Sequence, residues 1–220
     1  MNEIIGEMLP LAVAISISPL PIIAMLVLLM SPKARTSTPA FMLGWMAAIV
    51  TFLMVFSAVS GMFSHQGGGT WVALIKIVLG AVFVYLGYRE WHSRPKPGQT
   101  THLPHWLDSV EHMRPLAAAG TGFVLYAVNP KNLTVGLSAA VAFASVPLSA
   151  ASSFIVAAIY LLVAASTVVV PILGYFIAQD RIRPWLTDLQ TWMTEHNAAV
   201  MAVLLFVLGS MMIGKGIVAA

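Results

Sequence analysis

Asn129-Pro130-Lys131-Asn132 sits inside an apolar stretch that runs from about Pro115 to Phe143. A lysine ammonium at the centre of a bilayer costs roughly 3 to 15 kcal/mol, so a cation placed there marks a function by default. Pro130 has no amide hydrogen and cannot donate to a helix ladder, which predicts a break or kink. Ser18-Pro19-Leu20-Pro21 interrupts the first apolar stretch in the same way. Irregular backbone at membrane depth survives only where protein buries it or where it lines a cavity. The two breaks are therefore expected to face each other and to form one site.

The chemistry of that site follows from its charge. The chain has 8 carboxylates, and all fall in loops or at helix ends: Glu3, Glu7, Glu90, Asp108, Glu111, Asp180, Asp188 and Glu195. None is placed to neutralise Lys131, so its counter-charge is either a cluster of backbone carbonyls or a ligand. Half-helices that begin after Pro19–Pro21 and after Pro130 are expected to present free amide hydrogens and a positive dipole end at the same depth. Ser16, Ser18, Asn129, Asn132 and Thr134 add neutral hydrogen-bonding groups. The expected substrate group is a carboxylate, phosphate or sulfate. A divalent cation is disfavoured, because it would want oxygen ligands that carry charge. Two other roles stay open: prolines also kink membrane helices with no ligand present, and Lys131 could instead carry a proton.

The elements that must position these groups are membrane helices. Of 220 residues 59% are hydrophobic and 9% charged, against about 25% charged in a soluble domain, and the mean hydropathy is +0.89. At about 20 residues per span, the apolar segments are approximately 5–30, 40–63, 71–90, 115–145, 150–178 and 198–219. The N-terminus carries Glu3 and Glu7 and no Lys or Arg, unlike a cleaved signal peptide, so the first segment is expected to remain as a helix. Lys33, Arg35, Arg89, Arg94, Lys96, Arg114, Arg181 and Arg183 all fall in alternate connections. The positive-inside rule makes that side cytoplasmic, with both termini outside a cell (plasma) membrane. Lys76 and Lys215 lie near outer helix ends, where they serve as interfacial anchors or as secondary site candidates. Two cytoplasmic connections carry apolar residues at helical spacing, Leu103 to Met113 and Ile182 to Met193. Both are expected to be helices lying in the interface, and Arg94-Pro95-Lys96-Pro97-Gly98 reads as a linker.

The expected fold is an all-α integral membrane protein of six transmembrane helices, with the first and fourth broken near the midplane. It forms one membrane domain, 1–220. Three helices per half give the halves opposite orientation, a 3+3 inverted-topology repeat. Repeat one covers about 5–91, the cytoplasmic linker about 92–114 and repeat two about 115–219. Ser18-Pro19 corresponds to Asn129-Pro130, and Val78-Leu79-Gly80 recurs as Val207-Leu208-Gly209, each followed seven residues later by a glycine, Gly87 or Gly216.

Several classes are disfavoured. The absence of cysteine removes disulfides and thiolate metal sites. The six histidines, His65, His92, His102, His105, His112 and His196, are scattered without ligand spacing, so neither a metal nor a cofactor is expected. No Gly-x-Ser-x-Gly elbow supports a hydrolase, and no enzyme activity is expected. The formal charge of +3 belongs to the loops and does not signal nucleic acid. The methionines read as packing.

Ser-Pro-Leu-Pro in helix one, Ser31-Pro32-Lys33-Ala34-Arg35, Phe41 to Trp45 and Asn129 to Leu133 together resemble the GAP family. These are the glycopeptidolipid- and sulfolipid-addressing (Sap-like) proteins of actinobacteria, within the LysE exporter superfamily. The resemblance covers nearly the whole chain. Leu20 stands where the LysE amino-acid exporters carry glycine, which favours the lipid-associated branch. The resemblance implies a six-helix transporter that moves lipids toward the cell surface and cell envelope. The expected function is translocation or export of an anionic lipid or lipid-linked molecule, by alternating access around the midplane site. Alternatives are an exporter of amino acids or other small anionic metabolites, and a non-transporting scaffold of a lipid-synthesis complex. Expected partners are membrane lipids and the anionic substrate, with a homodimer and a lipid-synthesis partner as the protein partners to look for.

Overall fold

Proline and the residue before it decide where two pairs of helices divide. Pro19 and Pro130 each occupy the first position of a helix, where a missing N–H costs nothing and the fixed φ already suits the helix. The residue before a proline is pushed out of the helical region. Ser18 (φ −118°, ψ 101°) and Asn129 (φ −85°, ψ 109°) are both extended. The chain consequently runs as α1 (Asn2–Ser16) and α2 (Pro19–Met30), bent by 56° at their junction, and as α6 (Pro115–Ala127) and α7 (Pro130–Ala144).

The computed structural model describes residues 2–63, 70–94 and 106–219, and every regular element among them is an α-helix. The others are α3 (Ala34–Phe63), α4 (Thr70–Ser93), α5 (Trp106–Val110) and α8 (Ala150–Ala219). α8 is broken at Ala178, whose φ −144° and ψ 55° leave the helical region, so it is two helices in series. By length and composition, α3 and α8 are able to cross a membrane, as is the bent pair α1–α2 taken as one span. Large apolar side chains also face outward, among them Leu43, Phe154, Leu162 and Val207. An outer surface of that kind is stable in lipid and not in water, so the chain is a helical membrane protein.

The helices form two compact units. The first, Met1–Met62 with Leu103–Thr191, holds α1, α2, most of α3, α5 to α7 and the first part of α8. There α1 packs along α7, and α2 touches α5 and α6. α3 and α6 approach until their backbones touch: a Cβ on Gly44 would overlap the Ala119 carbonyl, and one on Gly122 would overlap the carbonyl of Phe41. Beside that contact Trp45 meets Tyr126 edge to face, 5.4 Å between ring centroids. α5 has its apolar side turned to the protein, with Leu107 and Val110 buried, and Lys33 and Ser37 donate to the carbonyls of His112 and Met113 beside it. Of the segment from Leu103 to Met113 expected as a helix, α5 is the helical part among the described residues, and Leu103 itself lies outside them. Along 182–193, Leu186 and Met193 are buried, while Trp185 and Trp192 of the same apolar pattern are exposed.

The second unit, Phe63–His102 with Trp192–Ala220, holds α4 and the end of α8. Its helices cross on glycine. A Cβ on Gly80 would come 2.7 Å from the Gly209 carbonyl oxygen, and one on Gly209 would come 2.7 Å from that of Gly80. Gly87 meets the Ala202 carbonyl and Gly216 meets that of Ala73. Position for position, the contact is its own mirror: seven residues along from each central glycine, a second glycine meets an alanine of the other helix.

Candidate functional site

Lys131 is the second residue of α7, and 1% of its surface is exposed. An ammonium carries three donors and no acceptor. Here all three are used: Nζ donates to the Ala14 carbonyl, the Ile17 carbonyl and Ser18 Oγ, each at 2.8 Å. The carbonyls belong to the last turn of α1 and the residue that follows it. That is the end where a helix leaves carbonyls without intrahelical partners and carries its negative partial charge. The cation is therefore well placed, but every one of its partners is neutral. Dipoles solvate the charge without cancelling it.

Two further side chains complete the cluster. Ser18 Oγ accepts from Lys131 and donates to Asn132 Oδ1 at 3.0 Å. Asn132 is fully buried, and its Nδ2 has no hydrogen-bond partner. From α8, Thr167 Oγ1 donates to the Ser16 carbonyl at 2.6 Å, and Ser18 N donates to the same oxygen at 3.0 Å. The end of α1 is thus held from two sides, by Lys131 of α7 and Thr167 of α8.

Most of the free amides expected at the two helix starts are taken or missing. Asn129 caps α7, its Oδ1 accepting from Lys131 N at 3.0 Å and Asn132 N at 3.4 Å, while Leu133 N donates to the Asn129 carbonyl. In α2, Pro19 and Pro21 have no N–H, and Ile22 N donates to the Ser18 carbonyl. Leu20 keeps the one amide of that first turn not used in this way. What α7 offers a ligand is side chains, and α2 adds the Leu20 amide.

Of the residues singled out in the sequence, Lys131, Ser18 and Asn132 touch directly, Asn129 orders the start of α7, and Ser16 takes part through its carbonyl. The Ser16 hydroxyl turns back to Val13 and the Thr134 hydroxyl to Pro130, so neither joins the cluster. Pro19 and Pro21 are buried at the break, whereas Pro130 is exposed. Lys76 and Lys215 fall on α4 and α8, with their side chains outside the described part of the structure. His92 and His196 each bond the carbonyl four residues back, and His65, His102 and His105 lie outside the described residues.

The sequence missed Thr167 and Tyr126. Thr167 is one of many hydroxyl residues in apolar helices, with no neighbour to distinguish it. Tyr126 is buried, and its hydroxyl fills the space over Gly136, one turn along α7 from Asn132.

The family whose sequence pattern matches this chain is described as Sap, sulfolipid-1-addressing protein, and the match runs over residues 8–218. No curated protein and no solved structure matches.

Proposed function

Because this chain belongs to the family described as Sap, sulfolipid-1-addressing protein, a family whose name points to lipid export or localisation, we propose that it is a membrane transporter for an anionic lipid or lipid-linked molecule. The observation that carries the proposal is the position of Lys131, with its amine against the end of α1. Lys131 is buried among neutral partners, and taking an ion out of water costs several kcal/mol even after the protein relaxes. A group this expensive that serves only to cap a helix would be better replaced by a neutral donor. An anion that reaches it gains a full charge–charge interaction in a low-dielectric setting.

In this proposal the chain has six spans arranged as a 3+3 inverted repeat within the plasma membrane, both termini outside. Support comes from the paired breaks, where Ser18 and Asn129 are both extended before a helix-starting proline, and from the mirrored glycine contact of α4 with α8. Transport runs by alternating access, one repeat rocking against the other around Lys131, and the chain acts as a carrier and not as an enzyme. Membership of the LysE exporter superfamily belongs to the same proposal.

The test is native mass spectrometry of gently extracted protein, wild type beside Lys131→Ala. An anionic lipid held by the wild type and lost from the variant is the expected result. The same lipids bound to both would make them annular and turn attention to efflux of small anions, or to a scaffold role for α5.

A further inference from the structure

The three hydrogens of the Lys131 ammonium are all committed to the end of α1. An anion cannot simply add to such a group; it has to take the place of acceptors already there. We propose that the C-terminal end of α1 is a built-in competitor for the substrate's oxyanion, so that capture of the anion and release of α1 from α7 are a single event. The inference rests on Lys131 as the anion contact.

Three observations support the exchange. The present acceptors are neutral, so a full negative charge is the stronger partner for the ammonium. Asn132 Nδ2 is buried beside the cluster with no acceptor, while the Oδ1 of the same amide takes the Ser18 hydroxyl. The end of α1 leaves that donor unmatched, and an incoming oxyanion has oxygens to spare for it. A ligand shifts an equilibrium only by its differential affinity for the two states, and this unmatched donor supplies part of the difference. The third observation is the site of the movement. Ile17 and Ser18 lie outside both helices at the 56° bend, so α1 is able to swing without unwinding.

Thr167 is the positioning residue. Its bond to the Ser16 carbonyl holds α1 against Lys131 without touching Lys131 itself. When the binding-competent state is a minor one, apparent affinity falls by its fraction. Whatever loosens the competitor therefore tightens the anion.

The experiment uses the full chain in phosphatidylcholine nanodiscs, titrated in one arm with dioleoyl phosphatidate and in the other with inorganic phosphate. Thr167→Val should bind about 2- to 10-fold more tightly than wild type, the change that one hydrogen bond corresponds to. Thr167→Ser keeps the hydroxyl and should bind as wild type does. The arm that tightens says whether the oxyanion is a lipid headgroup or a free ion. In the wild type, the Ser18 amide, bonded to the Ser16 carbonyl at the bend, should exchange hydrogen faster once the anion is bound. Unchanged or weaker binding by Thr167→Val, or unchanged or slower exchange at that amide, overturns the competition while leaving the site intact, provided Lys131→Met still abolishes binding. Undiminished binding by Lys131→Met removes the anion contact, and both proposals fall with it.

Discussion

Where α1 ends against α7, the helices are joined by one ammonium, one hydroxyl and one amide. Where α4 crosses the end of α8, they are joined by backbone against backbone. Both contacts answer the same difficulty, that lipid gives two apolar helices no hydrophobic reason to associate. The glycine crossing answers it by removing side chains, so its energy is close packing and nothing else can take its place. The lysine contact answers it with donors and acceptors, and any better acceptor is able to displace the ones present. A contact of the first kind is suited to a rigid joint. The second kind is suited to a joint that opens for a ligand.

The contrast can be broken at four points. The largest effect is expected from Lys131→Ala, which should lower transport of an anionic lipid in proteoliposomes by roughly two orders of magnitude, as for deletion of a buried charged contact. The same variant should still unfold cooperatively near the wild-type temperature, because the cost of burying the charge leaves with it. A variant that transports normally would dissolve the distinction between the two contacts. Next comes Gly80→Ala or Gly209→Ala. The new methyl meets a backbone carbonyl, so each should cost about 1–3 kcal/mol, read as a lower unfolding temperature in detergent with substrate affinity unchanged.

Smaller effects sharpen the comparison within α7 itself. Gly136→Ala places a methyl against the Tyr126 hydroxyl and should cost about 1–2 kcal/mol. Because the obstacle is a side chain, Tyr126→Phe in the same chain should recover part of the loss, and a double-mutant cycle measures the coupling. Asn129→Ala removes the cap of α7 and should cost about 1 kcal/mol. It also frees two amides next to Lys131, so anion binding should survive the loss of stability. Binding lost as completely as in Lys131→Ala would show that the cap, and not the charge alone, organises the site.

Helix starts were legible where the chemistry is local. Pro19 and Pro130 open helices because each restricts the residue before it and lacks one hydrogen. Proline by itself was not enough: Pro10, Pro39, Pro171 and Pro184 lie inside helices, and Ala178 leaves the helical region with no proline beside it. The capping of α7 was present in the sequence as Asn before Pro, a preferred N-cap residue ahead of a preferred first residue. Treating the α7 amides as free overlooked the oxygen of the neighbouring side chain.

Composition by itself determined that this chain belongs in a membrane, since an outer surface so apolar has no other stable solvent. The residues around Asn129-Pro130-Lys131 and Ser18-Pro19 also determined which groups would be chemically exceptional there. Only the tertiary structure decided what Lys131 touches within the protein. It chose the carbonyls of Ala14 and Ile17, more than a hundred residues earlier in the chain, and it brought in Thr167 from α8 to hold them. A proline's effect is transmitted through one or two covalent bonds, so adjacent residues carry it. The partner of a buried charge is chosen by how whole helices pack, and no local stretch of sequence holds that information.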